Sequence, residues 1–127
     1  MKIQKFEDLE IWKKSILVVR LIYDVTSTKP FVNDFPLRDQ IRRAVISISS
    51  NIVEGFEKRN NNEFKRYLKI AKGSVGETRN QLFIALALNY ITKTEFDEIN
   101  NLLLELAAKI GALINYLDKQ KNQTRNP

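Results

Sequence analysis

The chain of 127 residues has a mass of 14.8 kDa, and 43% of its residues are hydrophobic and 28% charged, a balance typical of one folded domain. It contains neither cysteine nor histidine, which excludes disulfides, thiolate metal sites and the catalytic arrangements built on Cys or His. The 21 basic residues outnumber the 15 acidic ones, and this excess favours an acidic partner, either nucleic acid or an anionic membrane surface.

Helical periodicity predicts the first two elements. Only four glycines and three prolines are present, which argues against an all-β fold. The first apolar stripe predicts a helix from about Phe6 to Thr26 that ends before Pro30, because proline lacks a backbone donor. After a long loop, a second stripe begins just after Pro36 and predicts a helix that ends at Gly55 in a left-handed cap. The two stripes are Leu9, Trp12, Ile16, Val19 and Tyr23, then Leu37, Ile41, Ala44, Ile48 and Ile52.

Two longer helices follow. The third stripe predicts a helix of about 28 residues that contains Gly73 and Gly76. A glycine inside a helix costs about 1 kcal/mol relative to alanine, so the pair predicts a tight helix crossing that compensates this cost. The fourth helix begins with a capping box, in which Thr92 and Glu95 bond each other's backbone amides. The two stripes are Phe64, Leu68, Ala71, Val75, Thr78, Leu82, Ala85 and Asn89, then Phe96, Ile99, Leu103, Leu106, Ile110, Leu113 or Ile114, and Leu117.

Four amphipathic segments joined by one long and two short connections predict an all-α, antiparallel up-down-up-down four-helix bundle. The predicted domain covers residues 1–118, and a polar, frayed tail covers residues 119–127. Apolar residues off the main stripes, such as Leu17 and Leu88, leave two alternatives. Either the core faces are wide, or a second face packs against another subunit.

The sequence also bears on location. No apolar segment follows the first residues, and the longest unbroken apolar run, from Leu82 to Leu88, is short. We therefore expect neither a secretory signal nor a membrane span, and we expect a protein of the cytoplasm.

No motif of the sequence indicates catalysis. The carboxylates Glu54, Glu57, Glu63 and Glu77 could bind a divalent ion between helices, but di-iron bundles pair glutamate with histidine, which this chain lacks. A polar layer in which Glu54 and Glu77 pair with Arg or Asn side chains is the simpler interpretation. We expect no catalytic residue, no cofactor and no metal.

Positive charge is concentrated in the middle of the chain. Ten basic and five acidic residues lie between Arg38 and Arg79, which accounts for five of the six net charges. On the third helix, a spacing of four, three and seven residues places Lys65, Lys69, Lys72 and Arg79 on one edge, beside the apolar stripe. Such a basic ridge favours salt-sensitive binding of phosphates. The alternative is a solvated face that binds no ligand.

Three blocks of the sequence are typical of a known family: Phe6-Glu7-Asp8-Leu9-Glu10-Ile11-Trp12, then Gln40-Ile41-Arg42-Arg43-Ala44 through Ser47-Ile48 and Asn51-Ile52 to Glu54-Gly55, and Leu68-Lys69-Ile70-Ala71-Lys72-Gly73-Ser74 with Glu77. In these blocks the chain resembles the four-helix bundle proteins encoded within 23S rRNA intervening sequences, over about residues 6–117. The resemblance implies a small bundle that assembles into a homopentameric ring and has no established enzymatic activity. Relatives of the family include the accessory protein of diversity-generating retroelements, a basic pentameric barrel that engages nucleic acid and a reverse transcriptase.

The resemblance also implies roles for individual residues. Asn51 and Glu54 would lie in an interhelical polar layer, while Gln40, Arg42 and Arg43 would lie near the central or subunit-facing surface of the ring. Where the family often has an acidic residue, this chain has Arg79, which makes the ridge more basic.

The sequence thus leads to one main hypothesis and two alternatives. We expect a noncatalytic, oligomeric protein that binds nucleic acid, RNA rather than DNA, through a basic face, without a membrane partner. The alternatives are an interaction scaffold that docks a polymerase or a ribosomal partner, and a bundle enzyme with a carboxylate-bound metal. The predicted phosphate-binding residues are Arg42, Arg43, Arg59, Lys65, Arg66, Lys69, Lys72 and Arg79, and the predicted polar layer is Asn51, Glu54 and Glu77.

Overall fold

The computed structural model describes residues 3–120, which form four α-helices and two short 3₁₀ turns. The helices are α1 (Glu10–Thr26), α2 (Phe35–Glu57), α3 (Asn61–Ala87) and α4 (Lys93–Lys119), and the turns cover Phe6–Asp8 and Phe31–Asn33. The predicted all-α four-helix bundle is confirmed. Of the predicted tail, residue 119 belongs to α4, and residues 121–127 lie outside the described residues, as do residues 1 and 2.

Each helix contacts the next one, and α1 also contacts α4, so the four helices lie in cyclic order around one core. For three of these four contacts, between α2 and α3, α3 and α4, and α1 and α4, a residue number that rises on one helix is matched by a number that falls on the other. This is the contact pattern of antiparallel neighbours. The pairs are Gln40 with Gln81 and Ser47 with Ser74 for α2 and α3, Lys65 with Asp118 and Arg79 with Asn100 for α3 and α4, and Glu10 with Lys109 and Lys14 with Glu105 for α1 and α4.

The core is built from the apolar stripes of α2, α3 and α4 that the sequence predicts. Side chains such as Ile48, Leu68 and Leu103 are completely excluded from solvent. Burial of each side chain of this size stabilises the fold by about 1.5–3 kcal/mol. The buried members of the three stripes are Ile41, Ala44, Ile48 and Ile52, then Phe64, Leu68, Ala71, Val75, Thr78, Leu82 and Ala85, and Phe96, Ile99, Leu103, Leu106, Ile110 and Leu117.

The predicted core face of α1 is wrong. The helix buries Ile11, Ser15, Val18, Ile22 and Val25, whereas most of the predicted stripe lies beside the core or in solvent. Two apolar stripes interleave along α1, about 100° apart on the helix, so the periodicity alone selects neither. The buried stripe contains Ser15, a polar residue, so a search for apolar periodicity does not detect this stripe. Burial of Ser15 is tolerated because its hydroxyl donates to the Trp12 carbonyl at 2.7 Å.

The glycines have different roles from those predicted. Helix α2 continues past Gly55 and ends at Glu57. The residue in the left-handed conformation after the helix is Arg59, with φ of 56°. Gly55 instead marks the close approach of α2 to α3, because a Cβ there would lie 2.6 Å from Cβ of Tyr67. The predicted crossing at Gly73 and Gly76 is wrong, since a Cβ at either position would meet no atom within 4 Å.

Side-chain caps fix where α2, α3 and α4 begin, with Asp34, Asn60 and Thr92 as the capping residues. The predicted capping box of α4 is confirmed, since Thr92 Oγ1 accepts from the Glu95 amide at 3.0 Å and Glu95 Oε1 accepts from the Thr92 amide at 2.9 Å. At the start of α2, Asp34 accepts from the amide of Leu37 at 3.2 Å. The hydroxyl of Tyr90 donates to the same carboxylate at 2.8 Å, and this bond raises the pKa of Tyr90. Tyr90, in the connection between α3 and α4, is thereby bonded to the residue that caps the beginning of α2.

No helix in the described part of the chain combines the length and the apolar character that a membrane span requires.

The outer seam between α1 and α4 is held by two ion pairs. Lys109 Nζ lies 2.8 Å from Glu10 Oε1, and Lys14 pairs with Glu105. Hydrogen bonds from these lysines hold the pKa of Glu10 and the pKa of Glu105 below the ordinary value of 4.5. A carboxyl whose pKa is lowered by folding stabilises the folded state at neutral pH and loses this effect as the pH falls through its pKa.

We expect Gly55→Ala to lower the free energy of unfolding by about 1–3 kcal/mol, because the added methyl group would force α2 and α3 apart. Gly73→Ala and Gly76→Ala should each raise it by about 0.5–1 kcal/mol, because both helix positions are open. Urea denaturation of the three variants checks the contrast. A loss of stability in the Gly73 or Gly76 variant would show that these sites are packed.

The ion pairs of the α1–α4 seam predict a pH-dependent stability. Glu10→Gln and Glu105→Gln should lower the melting temperature at pH 7. The difference from the unchanged protein should shrink as the pH falls below about 4.5 and vanish below the lowered pKa of the folded carboxyls. Thermal unfolding between pH 7 and pH 3 measures this. The control is Glu98→Gln, which changes another exposed glutamate of α4, the helix that contains Glu105. A difference that stays constant with pH would contradict the role of the ionised carboxylates.

Candidate nucleic-acid interface

The four cations of the predicted ridge lie along the edge of α3 that faces α4. Lys65 Nζ donates to Asp118 at 2.9 Å, and Arg79 Nε donates to Asn100 at 2.8 Å. Lys69 and Lys72 lie between them and line a groove that α3 forms with α4. From the first to the last of the four cations, the edge is about 21 Å long at the rise of an α-helix.

The groove between α3 and α4 has a volume of about 440 Å³ and is open to solvent. Its α4 wall contains Gly111, and the ammonium group of Lys72 lies across this glycine, 3.4 Å from the place where a Cβ would be. On the α3 wall, Gly73 leaves open space. The lining residues are Lys69, Lys72 and Gly73 of α3 and Gly111, Ile114 and Asn115 of α4. Small residues therefore leave room beside two lysines.

The cations of this edge differ in what already neutralises them. Lys65 is paired with a carboxylate, and Arg79 donates to an amide oxygen and lies 5.9 Å from the ring centre of Phe83. Lys69 and Lys72 take part in no ion pair within residues 3–120. The groove-lining residues include no carboxylate. An anion that enters the groove would meet two cations that are free to bind it.

Arg66 lies outside the groove, exposed on the outer surface of α3. It donates to Glu63 at 3.0 Å and stacks over the ring of Tyr67 at 4.5 Å. The hydrogen bond raises the pKa of Arg66 and lowers the pKa of Glu63. Its charge is thus already matched on the surface of its own helix.

Arg42 and Arg59 join parts of the fold. Arg42 donates to the hydroxyls of Thr26 and Ser27 at 2.8 and 3.2 Å, and its guanidinium lies 4.4 Å from the ring centre of Tyr23. It therefore ties the beginning of α2 to the end of α1.

Arg59 follows α2 in the left-handed conformation and donates to the carbonyl of Gln4 at 2.9 Å. It therefore ties the end of α2 to the segment before α1. Arg43 is exposed on α2, and among residues 3–120 the structure gives it no hydrogen bond or ion pair. The eight predicted phosphate-binding residues are thus not brought together: four share the α3 edge, and four lie elsewhere.

Two of the three residues of the predicted polar layer, Asn51 and Glu54, lie at the contact between α2 and α3. Asn51 donates to the carbonyl and the hydroxyl of Ser47 at 2.8 and 3.0 Å, and this hydroxyl lies 3.0 Å from that of Ser74. Glu54 accepts from the hydroxyl of Tyr67 at 3.2 Å, so its partner is neither Arg nor Asn.

Glu77 lies outside the polar layer. It is exposed, and among residues 3–120 it has no hydrogen bond or ion pair in the structure. Within the same residues, no three carboxylates lie close enough together to hold a metal ion.

A second surface was not identified as such from the sequence. On the outer side of α1 and α2, Trp12 and Val53 line a groove of about 420 Å³, and Ile16 and Ile46 are each 41% exposed. Tyr23 continues this surface toward the first helix connection, and Arg42 stacks on it. We call these five apolar residues the α1–α2 face: Trp12, Ile16, Tyr23, Ile46 and Val53. Its α1 members are the stripe that the sequence pattern assigned to the core.

Comparison with known proteins gives one family. Residues 7–112 match the family model of the 23S rRNA-intervening sequence protein. A crystal structure of a protein of unknown function from the S23 ribosomal protein family of Bacteroides thetaiotaomicron VPI-5482 is similar, with 26% sequence identity and a TM-score of 0.75. The similarity covers 83% of this chain and 95% of that chain. No curated protein matches significantly.

Proposed function

The chain belongs to the 23S rRNA-intervening sequence protein family, and on this basis we propose that it is a noncatalytic, oligomeric protein of the cytoplasm that binds nucleic acid, RNA rather than DNA. The observation on which this proposal rests is the pair Lys69 and Lys72, which line an open groove and have no ion-pair partner within residues 3–120. Both lysines contact phosphates in the proposed complex.

Free lysines suit phosphate binding for an energetic reason. Each lysine that neutralises a phosphate releases condensed counterions, so affinity falls steeply as salt rises. A lysine already paired with a carboxylate must first give up that pair, which cancels part of the gain. We therefore assign the main contacts to Lys69 and Lys72 and flanking contacts to Lys65 and Arg79.

The other predicted arginines have a smaller part in this proposal. Arg43 and Arg66 are exposed and add to the positive potential that attracts a polyanion. Arg42 and Arg59 already bind groups of their own chain, and we assign to them mainly the positioning of α2.

The oligomeric part of the proposal is supported by the α1–α2 face. Contiguous apolar surface of this kind is typical of interaction sites, and water exposure of large apolar side chains is unfavourable. We propose that the face is covered by a neighbouring copy of the chain, in the homopentamer that the family resemblance implies.

A second candidate function uses the same face. An interaction scaffold that docks a polymerase or a ribosomal partner would also need an exposed apolar surface, with Ile16 and Ile46 as contact residues. Recovery of a specific protein on the immobilised chain after nuclease treatment would favour this scaffold, provided that Ile16→Glu abolishes the recovery.

Reversal of the two groove lysines tests the nucleic-acid proposal. We expect Lys69→Glu combined with Lys72→Glu to weaken binding of a structured RNA at least tenfold and to reduce the slope of log affinity against log salt by about two units. Fluorescence anisotropy over a salt series measures both quantities.

The control is Lys13→Glu combined with Arg20→Glu, which makes the same change in net charge on exposed positions of α1. Equal loss of affinity in both double variants would mean that net charge, and not the groove, governs binding. Absence of any RNA binding by the unchanged protein at low salt would refute the proposed function.

The α1–α2 face predicts the effect of charge on assembly. We expect Ile16→Glu combined with Ile46→Glu to convert the oligomer into the 14.8 kDa monomer with its helix content retained, because each carboxylate would be buried without a partner in the interface. Mass photometry or light scattering measures the mass, which should be five times larger for the unchanged protein. A monomeric unchanged protein would contradict the oligomer.

A further inference from the structure

We infer that the cationic groove between α3 and α4 takes the backbone of a double-stranded stem and not a single strand. This inference rests on the proposed function and specifies the form of nucleic acid that the groove accepts. It follows from the lining of the groove, from the space above α3 and from the position of the aromatic side chains.

The lining of the groove has no aromatic side chain. It consists of Lys69, Lys72, Gly73, Gly111, Ile114 and Asn115. Proteins that hold single strands without sequence preference stack the unpaired bases on aromatic rings, which here would need a ring in the groove. Phe83, the exposed aromatic residue on the same edge of α3, lies about 15 Å along the helix from Gly73 and packs against Phe96 at 4.6 Å between ring centres.

A duplex needs no such ring, because its bases are already stacked on one another. It presents phosphates and sugars on its outside, and proteins recognise double-stranded RNA mainly by shape and by these groups. The two free lysines match phosphates, and the amide of Asn115 can donate to a phosphate or exchange hydrogen bonds with a ribose hydroxyl. The lining therefore matches what a stem exposes.

The space above α3 allows a bulky backbone to come close. A Cβ at Gly73 or at Gly76 would meet no atom of the protein within 4 Å, so the helix backbone is bare there. Gly73 lines the groove beside Lys72, and Gly76 lies one helical turn beyond Lys72. We call these two glycine positions the bare strip. A ligand can thus approach the backbone of α3 closely at these two positions, next to Lys69 and Lys72.

The experiment compares three probes and three variants. The probes are an RNA duplex of about 16 base pairs, one of its strands alone, and the DNA duplex of the same sequence. The variants are Gly73→Leu and Gly76→Leu, which fill the bare strip, and Ala112→Leu as a control, which adds one carbon atom fewer at an exposed site beside α1. Anisotropy gives the affinities, and light scattering gives the mass of each variant.

We expect the unchanged protein to bind the RNA duplex at least tenfold more tightly than the single strand. Gly73→Leu and Gly76→Leu should each lose at least tenfold in duplex affinity with a melting temperature no lower than that of the unchanged protein, and Ala112→Leu should bind like the unchanged protein. Equal affinity for the RNA and DNA duplexes would mean that the groove contacts phosphates alone. A preference for the RNA duplex would mean that the groove also contacts the ribose hydroxyl. Either result supports the inference, and equal affinity would contradict only the preference for RNA over DNA in the proposed function.

Four other results would overturn it. Preference for the single strand, or full duplex affinity in the Gly73→Leu and Gly76→Leu variants, would refute the inference and leave the proposed function standing. A changed oligomer mass in the leucine variants would mean that another protein chain occupies the bare strip. If no probe binds to the unchanged protein, the proposed function itself fails.

Discussion

The rotation of α3 about its own axis is the constraint on which the surface of this molecule depends. Helix α3 touches both α2 and α4, and Gly55 lets α2 come so close that no Cβ fits between them. At the other end of the contact, Gln40 and Gln81 meet. With this rotation fixed along the length of the bundle, Lys69 and Lys72 must lie at the junction with α4, outside the core.

Much of the fold could be predicted from the sequence, because apolar spacing in α2, α3 and α4 coincides with burial. In α1 it could not, because Ser15 interrupts the buried stripe while Ile16 and Tyr23 extend the exposed one. The candidate site was predicted only as a set of cations on one edge of a helix. Which of them are free depends on partners distant in the chain, such as Asp118 for Lys65, and helical spacing contains no information about these.

The two candidate surfaces lie on opposite sides of the bundle, since α1 and α2 form one side and α3 and α4 the other. Assembly through the α1–α2 face would therefore leave the cationic groove of every subunit accessible. Several grooves on one particle bind one polyanion with a higher effective concentration than a single groove does. A modest contact through Lys69 and Lys72 in each subunit is then sufficient for tight binding by the proposed assembly.

The glycines inside α2 and α3 are of two kinds, because one is required by helix packing and two are not. Gly55 breaks the rule that helices avoid glycine, and the contact with Tyr67 accounts for it. Gly73 and Gly76 break the same rule, yet nothing in the described part of the chain occupies the space they leave. Local preferences that are violated without internal compensation are expected at functional sites. The compensation for these two glycines is therefore to be sought in a ligand that approaches α3 from outside, next to the lysines that would bind it.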